Sequence, residues 1–149
     1  MNQDAYKKAL GILALSDHST KMLKEKLRKS GYEQQDVDSA VERLVKEGYV
    51  NDKRLFFSYV SYLAEKKHFG AMRINISVRE KFYKETVEEY LSEALSEQNF
   101  AKNAMEYAEK YKAKGKDYMI RRLKYLGHRA SHVITATNEV FGKGENDED

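Results

Sequence analysis

The side chains best suited to chemistry in this chain are cations, and they come in groups. Lys21, Lys24, Lys26, Arg28 and Lys29 form one group, Arg73, Arg79 and Lys81 a second, and Arg121, Arg122 and Lys124 a third with Arg129 just beyond. Acidic stretches follow the first two, with Asp36, Asp38, Glu42 and Glu47, then Glu85, Glu88, Glu89 and Glu93. Cations at this density can neutralise phosphates, in which case binding weakens steeply with salt and reads little sequence. They can equally grip carboxylates on a protein surface, which arginine's planar fork suits. The alternative is that basic and acidic stretches pair with each other inside the molecule.

Catalytic chemistry has less to stand on. The chain has no cysteine, which excludes thiolate catalysis, disulfides and cysteine metal sites. His128 and His132 stand four apart, but no Glu lies between them and no third ligand is placed. His18 and His68 fall at expected helix breaks, and Glu88, Glu89 and Glu93 read as a solvated face. Gly142-Lys143-Gly144 lacks the rest of a phosphate-binding loop. The chain is expected to be no enzyme and to hold no cofactor and no metal. Tyr59, Tyr62, Tyr107, Tyr111, Tyr118 and Tyr125 can stack on single-stranded bases. At helical spacing they read instead as the edge of a thin core, with their hydroxyls in water.

These groups must be positioned by helices. The chain lacks proline, so long helices are permitted throughout. Ala5 to Ser16 predicts a first helix with Ala5, Ala9, Ile12 and Leu13 inward, and Gly11 placed to allow a close helix crossing. Asp17-His18-Ser19 caps a second helix from Thr20 to Ser30, which ends at Gly31 in a left-handed turn. A third runs from Gln34 to Glu47. Asn51-Asp52 caps a fourth, to Lys67, with Leu55, Phe56, Tyr59, Val60 and Leu63 inward. The fifth, Ala71 to Lys81, contains Ile74, Ile76 and Val78, for which a strand is the competing assignment. A sixth, Lys84 to Leu95, presents Val87, Tyr90, Leu91 and Leu95. The seventh, Asn99 to Lys112, presents Phe100, Ala104, Ala108 and Tyr111. An eighth lies between Gly115 and Gly127 with Met119 and Leu123 inward. The ninth, Ala130 to Phe141, uses Val133, Ala136, Val140 and Phe141.

Leu23, Leu27, Gly31 and Val37 correspond at one constant offset to Met119, Leu123, Gly127 and Val133. Ile74 and Val78 supply the middle copy, where Phe82 replaces the glycine and Val87 arrives one residue early. The first helices of the units correspond too, Ala5 and Ala9 with Phe56 and Val60. Such a period suits three-helix repeats. The fold expected is all-α, with repeats at 1–48, 49–97 and 98–143 in an elongated, curved array, then an acidic disordered tail at 144–149. That tail holds Glu145, Asp147, Glu148 and Asp149, so the body is more basic than the net charge of +3 indicates. A basic body suits an acidic or polyanionic partner. The acidic third helices argue against a base-reading helix-turn-helix. MNQDAYKKAL has no basic region followed by an apolar run, and no stretch is long enough to span a membrane. The expectation is a cytoplasmic monomer with no membrane contact.

Gly48-Tyr49-Val50-Asn51-Asp52-Lys53-Arg54-Leu55-Phe56, followed by Gly70-Ala71-Met72-Arg73-Ile74, resembles the signature of the RecX regulatory proteins. Ala9-Leu10, Ala14-Leu15, Leu23, Leu27 and Gly31-Tyr32 fit that family's first repeat, and the resemblance extends over Ala5 to Phe141. Lys81-Phe82-Tyr83 departs from the family's Lys-Gly-aliphatic turn, and Leu126-Gly127-His128-Arg129 from its Arg-Gly-Phe-like step. The resemblance implies a crescent of three tandem three-helix repeats that binds RecA recombinase filaments, usually inhibiting ATP hydrolysis and strand exchange in recombination and DNA repair. Contact with single- or double-stranded DNA could add to this. The contact face expected on that basis is Lys21, Lys24, Arg28, Lys29, Arg54, Arg73, Arg79, Lys81, Arg121, Arg122, Lys124 and Arg129. The alternatives are a non-specific nucleic-acid-binding helical protein without a recombinase partner, and a plain helical scaffold.

Overall fold

In a computed structural model of the chain, residues 3–142 are described, so the acidic segment at 144–149 lies outside them. Among the described residues the chain is all-α. The helices are α1 (Gln3–Leu15), α2 (Thr20–Lys29), α3 (Gln34–Lys46), α4 (Asp52–Glu65), α5 (Ala71–Lys81), α6 (Lys84–Ser96), α7 (Phe100–Lys110), α8 (Lys116–Tyr125) and α9 (Ala130–Phe141). A single 3-10 turn at Lys112–Lys114 precedes α8.

Capping explains where several helices begin. The Ser19 side chain accepts from the Met22 N–H, Asn51 Oδ1 from the Arg54 N–H at 3.0 Å, and Asn99 Oδ1 from the Lys102 N–H at 3.0 Å. Each satisfies a first-turn donor that has no partner within its helix. At the other end of α2, Gly31 takes the left-handed conformation with φ of 97°. The β-branched residues of α5 do not make a strand. In a strand Ile74, Ile76 and Val78 would share one face. Ile74 and Val78 are fully buried whereas Ile76 is 66% exposed, which is the helical outcome.

The chain folds as two compact units. Among the described residues, the first comprises those up to Ser58 with Val78–Tyr90, and the second comprises Tyr59–Ser77 with those from Leu91 onward. The first unit's core joins Ala9 of α1, Leu23 and Leu27 of α2, and Val37, Val41 and Leu44 of α3. The second unit's core joins Ala104, Tyr107 and Ala108 of α7, Met119 and Leu123 of α8, and Val133 and Ala136 of α9. Burial of a leucine such as Leu27 is worth about 1.5–3 kcal/mol, so the corresponding leucine and methionine positions anchor their helices strongly.

The middle copy solves its missing glycine with an aromatic. Phe82 is buried in the first unit, its ring 5.0 Å from that of Phe56 in an edge-on arrangement. Without a left-handed turn, only Phe82 and Tyr83 separate α5 from α6, which accounts for the early arrival of Val87.

Three expectations are corrected. Gly11 is exposed with open space around it, so it permits no close crossing; α1 packs through Ala5 and Ala9 instead. Tyr111 lies beyond the end of α7 and is 36% exposed, and the tyrosine that enters the core is Tyr107. In α6 the residue buried near the C-terminus is Ala94, with Leu95 only half-buried.

Candidate functional site

Each unit contains a joint where the start of one second helix meets the end of another. In the first unit the Ser19 hydroxyl, besides capping α2, donates to the Lys81 carbonyl at the end of α5. Lys21 Nζ donates to the Arg79 and Glu80 carbonyls, both at 3.3 Å. An ammonium among the last carbonyls of a helix is favoured by the partial negative charge there. In the second unit the backbones meet directly. The Gly70 N–H donates to the Leu126 carbonyl at 2.7 Å and the Met72 N–H to the Gly127 carbonyl at 3.3 Å. A Cβ on Gly70 would overlap the Gly127 carbonyl group, and one on Gly127 would overlap the Arg73 backbone. Gly127 also has φ of 91°, which side-chain-bearing residues rarely adopt. Ser19 corresponds to Gly70 and Lys81 to Leu126 in the sequence repeat, so both joints use the same register.

The second unit's joint gathers two of the expected contact cations. The Arg73 guanidinium lies 4.5 Å from the Tyr125 ring centroid and 4.8 Å from that of Phe69, and Arg73 donates to the Tyr125 carbonyl at 3.3 Å. Arg122 lies 4.9 Å from the same Tyr125 ring, while its Nε donates to the Tyr107 hydroxyl at 3.2 Å. That hydrogen bond raises the Arg122 pKa further above its usual value. Arg73 therefore ties α5 to the end of α8, while Arg122 ties α8 to α7. Arg121 and Lys124 stand exposed on α8 and share a face with Tyr125 at helical spacing. Tyr125 is 58% exposed, as are Met72 at 68% and Ile76 at 66% on one face of α5. Arg129 is exposed at the start of α9.

In the first unit some cations pair internally. Lys24 bridges to Asp38 of α3 at 3.2 Å, and the hydrogen bond from Lys24 holds the Asp38 carboxyl below its usual range. Arg28 donates to the Gln34 side chain at 3.0 Å. Lys29, Arg54 and Arg79 are exposed, while Lys81 is half-buried and serves the joint through its carbonyl.

The histidines of the second unit form a separate constellation. His68 adopts φ of 58° in the turn between α4 and α5, and its carbonyl accepts from His128 Nε2 at 2.7 Å. Burial pushes the His128 pKa down and keeps the ring neutral at pH 7. His128 lies before α9 and His132 within it, yet both line one cavity. Among the described residues no group of three or more His, Asp or Glu side chains is placed to hold a metal, and no helix is long and apolar enough to cross a membrane.

Known proteins resemble this arrangement at two levels. A family model described as the first three-helix domain of RecX matches residues 5–44, the span of α1 to α3. The Regulatory protein RecX of Pseudomonas savastanoi pv. phaseolicola is 34% identical over 73 residues, 49% of this chain and 46% of that protein. These matches to RecX cover part of the chain. The Regulatory protein RecX of Pelodictyon phaeoclathratiforme is 32% identical over 89 residues, 60% of this chain and 54% of that one. The chain thus spans about half the length of the curated relatives it matches. The crystal structure of RecX from Lactobacillus salivarius shares the fold, with a TM-score of 0.69 at 18% identity over 93% of this chain and 95% of that chain.

The RecX-like motifs signalled some of the site and missed the rest. Gly70 and Arg73 stood out in the sequence, as a helix break and a surface cation. Their meeting with Gly127 and Tyr125 carries no local sequence signal. Met72 and Ile76, exposed beside the buried Ile74 and Val78, carry only their own helical spacing as a sequence signal.

Proposed function

We propose that this chain is a regulatory protein that binds RecA recombinase filaments in the cytoplasm, as a monomer, and inhibits their ATP hydrolysis and strand exchange. The observation that carries this reading is a set of exposed apolar side chains, Met72 and Ile76 on α5 and Tyr125 on α8, with the exposed cations Arg121 and Lys124 on the same helix as Tyr125, in a chain whose residues 5–44 match the first three-helix domain of RecX. Tyrosine, methionine and arginine are enriched at protein interfaces, with apolar anchors central and charges at the rim. Repeats at 1–48, 49–97 and 98–143 would each present a second helix to the filament, with Lys29, Arg54 and Arg79 adding contacts beyond the second unit. Bridging neighbouring filament subunits would hinder the changes that nucleotide turnover requires.

The test is co-sedimentation with RecA filaments on single-stranded DNA. Charge reversal at Arg121 and Lys124 suits it better than reversal at Arg73 or Arg122, whose hydrogen bonds support the fold. Arg121→Glu with Lys124→Glu should weaken co-sedimentation at least tenfold with helicity unchanged. Undiminished binding sinks the proposed face. Salt-sensitive DNA binding without any effect of RecA would favour the non-specific nucleic-acid reading instead.

A further inference from the structure

The two joints differ in what covers the start of the incoming helix. In the first unit the Asp52 carboxylate, at the start of α4, accepts from the Thr20 N–H at 2.8 Å. It places a full negative charge on the positive end of α2, where charge of that sign is favoured. Ala71 of α5 corresponds to Thr20 in the repeat, and Glu97 corresponds to Asp52. However, α7 begins only at Phe100, so the turn that would carry the matching carboxylate is not helical. Among the described residues the Ala71 N–H has no backbone acceptor, and Gln98, next to Glu97, donates to the Ser61 hydroxyl. Gly70, the residue before α5, has no side chain with which to cap it.

A cavity of about 280 Å³ lies at this place, with Ala71 on its wall. Leu95 and Phe100 make it apolar on one side, and Ser92 and Ser96 add hydroxyls. Arg129, His128 and His132 complete it. No carboxylate lines it. His128 is 4% exposed; its Nε2 is engaged by the His68 carbonyl, and its Nδ1 has no protein partner. His132 Nδ1 is likewise buried without a partner. Buried polar atoms are ordinarily hydrogen-bonded, so two such nitrogens beside one cavity point to a ligand.

We propose that this cavity binds a carboxylate carried on a small apolar body, placed against α5 as the Asp52 carboxylate is placed against α2. The Ala71 N–H and the Arg129 guanidinium would hold the carboxylate, while Leu95 and Phe100 cover the apolar part. A volume of this size suits a fragment rather than a large ligand. The groups about His128 are the His68 carbonyl and ring and the His132 ring, with Arg129 on the wall of the same cavity. On the neutral ring Nε2 donates and Nδ1 is an acceptor; Nδ1 donates to a bound anion only once the ring is protonated, so binding tightens as pH falls. The chemistry fits a free small acid or the carboxyl end of a peptide. It does not depend on the RecA reading, because it is read on the isolated chain.

The experiment is amide NMR titration of the full chain with phenylacetate, and separately with N-acetyl-Gly-Phe bearing a free carboxyl end. The corresponding amides and inorganic phosphate serve as controls. Saturable movement of the Ala71 amide with phenylacetate, and none with phenylacetamide, is expected. Matching movement with the free-ended peptide identifies a peptide end as the source, and movement with phenylacetate alone identifies a free acid. Equal movement with phosphate, or none with any probe, overturns the proposal. Ala71→Pro keeps a residue tolerated at the first helical position but removes the donor, and should abolish binding. Arg129→Gln, at an exposed position, should weaken phenylacetate binding about tenfold. Unchanged affinity in that variant overturns the assignment even if Ala71→Pro fails to fold.

Discussion

The two joints place the start of one helix against the end of another in the same register, by different means. The first unit uses side chains, with the Ser19 hydroxyl and the Lys21 ammonium reaching the last carbonyls of α5. The second uses backbone against backbone, with Gly70 and Gly127 in contact and Arg73 clamped over Tyr125. A side-chain joint tolerates loss of one group at the cost of a hydrogen bond. A backbone joint has no slack, because any Cβ must push two main chains apart.

That contrast sets an order of sensitivity. Gly127→Ala meets both the overlap with Arg73 and an unfavourable φ, and Gly70→Ala meets overlap alone. Each should cost about 3 kcal/mol, with Gly127→Ala the larger, measured by urea unfolding monitored through helicity. Ser19→Ala removes a cap and one bond to Lys81 and should cost about 1–2 kcal/mol. Were Ser19→Ala as damaging as Gly70→Ala, the distinction between the joints would fail. Arg73→Lys keeps the charge but loses the planar stacking on Phe69 and Tyr125, and a loss of about 1 kcal/mol is expected. Smallest is Lys24→Ala at the α2–α3 bridge. Asp38 is nearly half exposed there, so the effect should stay below about 1 kcal/mol and shrink in high salt.

Proton linkage sharpens the comparison, since the second unit carries the buried His128. Its pKa in the folded chain lies below the ordinary value of 6.5, with burial the main cause. The unfolded chain therefore takes up a proton first as pH falls. Stability should be level above about pH 7, fall from about pH 6.5 downward, and level off below the depressed folded value. His68, shifted the same way by burial, adds to the effect. Stability curves at a series of pH values for the parent and His128→Gln test this, and an equally steep fall in the variant would remove His128 as the source.

Much of the fold was legible because amphipathic spacing and caps are local. Leu23, Leu27, Met119 and Leu123 mark their helices' inner faces, and Ser19, Asn51 and Gly31 mark where helices start or stop. The joints were not legible, since nothing local to Gly70 tells that the Leu126 carbonyl will meet its N–H. Arg73 looked like one more surface cation because its residue type serves equally on a surface and in a clamp. The cavity by α5 was hidden for another reason: it arises where α7 starts a turn later than α4, and the missing turn leaves only Glu97-Gln98-Asn99 as a sequence trace. The departure at Phe82 was visible, but only its packing on Phe56 explains how the turn closes without glycine.

The regulatory role is tested most directly by single-strand-dependent ATP hydrolysis by the cognate RecA with this chain titrated in. Progressive inhibition, relieved when Arg121 and Lys124 are both reversed to Glu, is the expected result. Hydrolysis unchanged by the parent chain across a wide concentration range would contradict it.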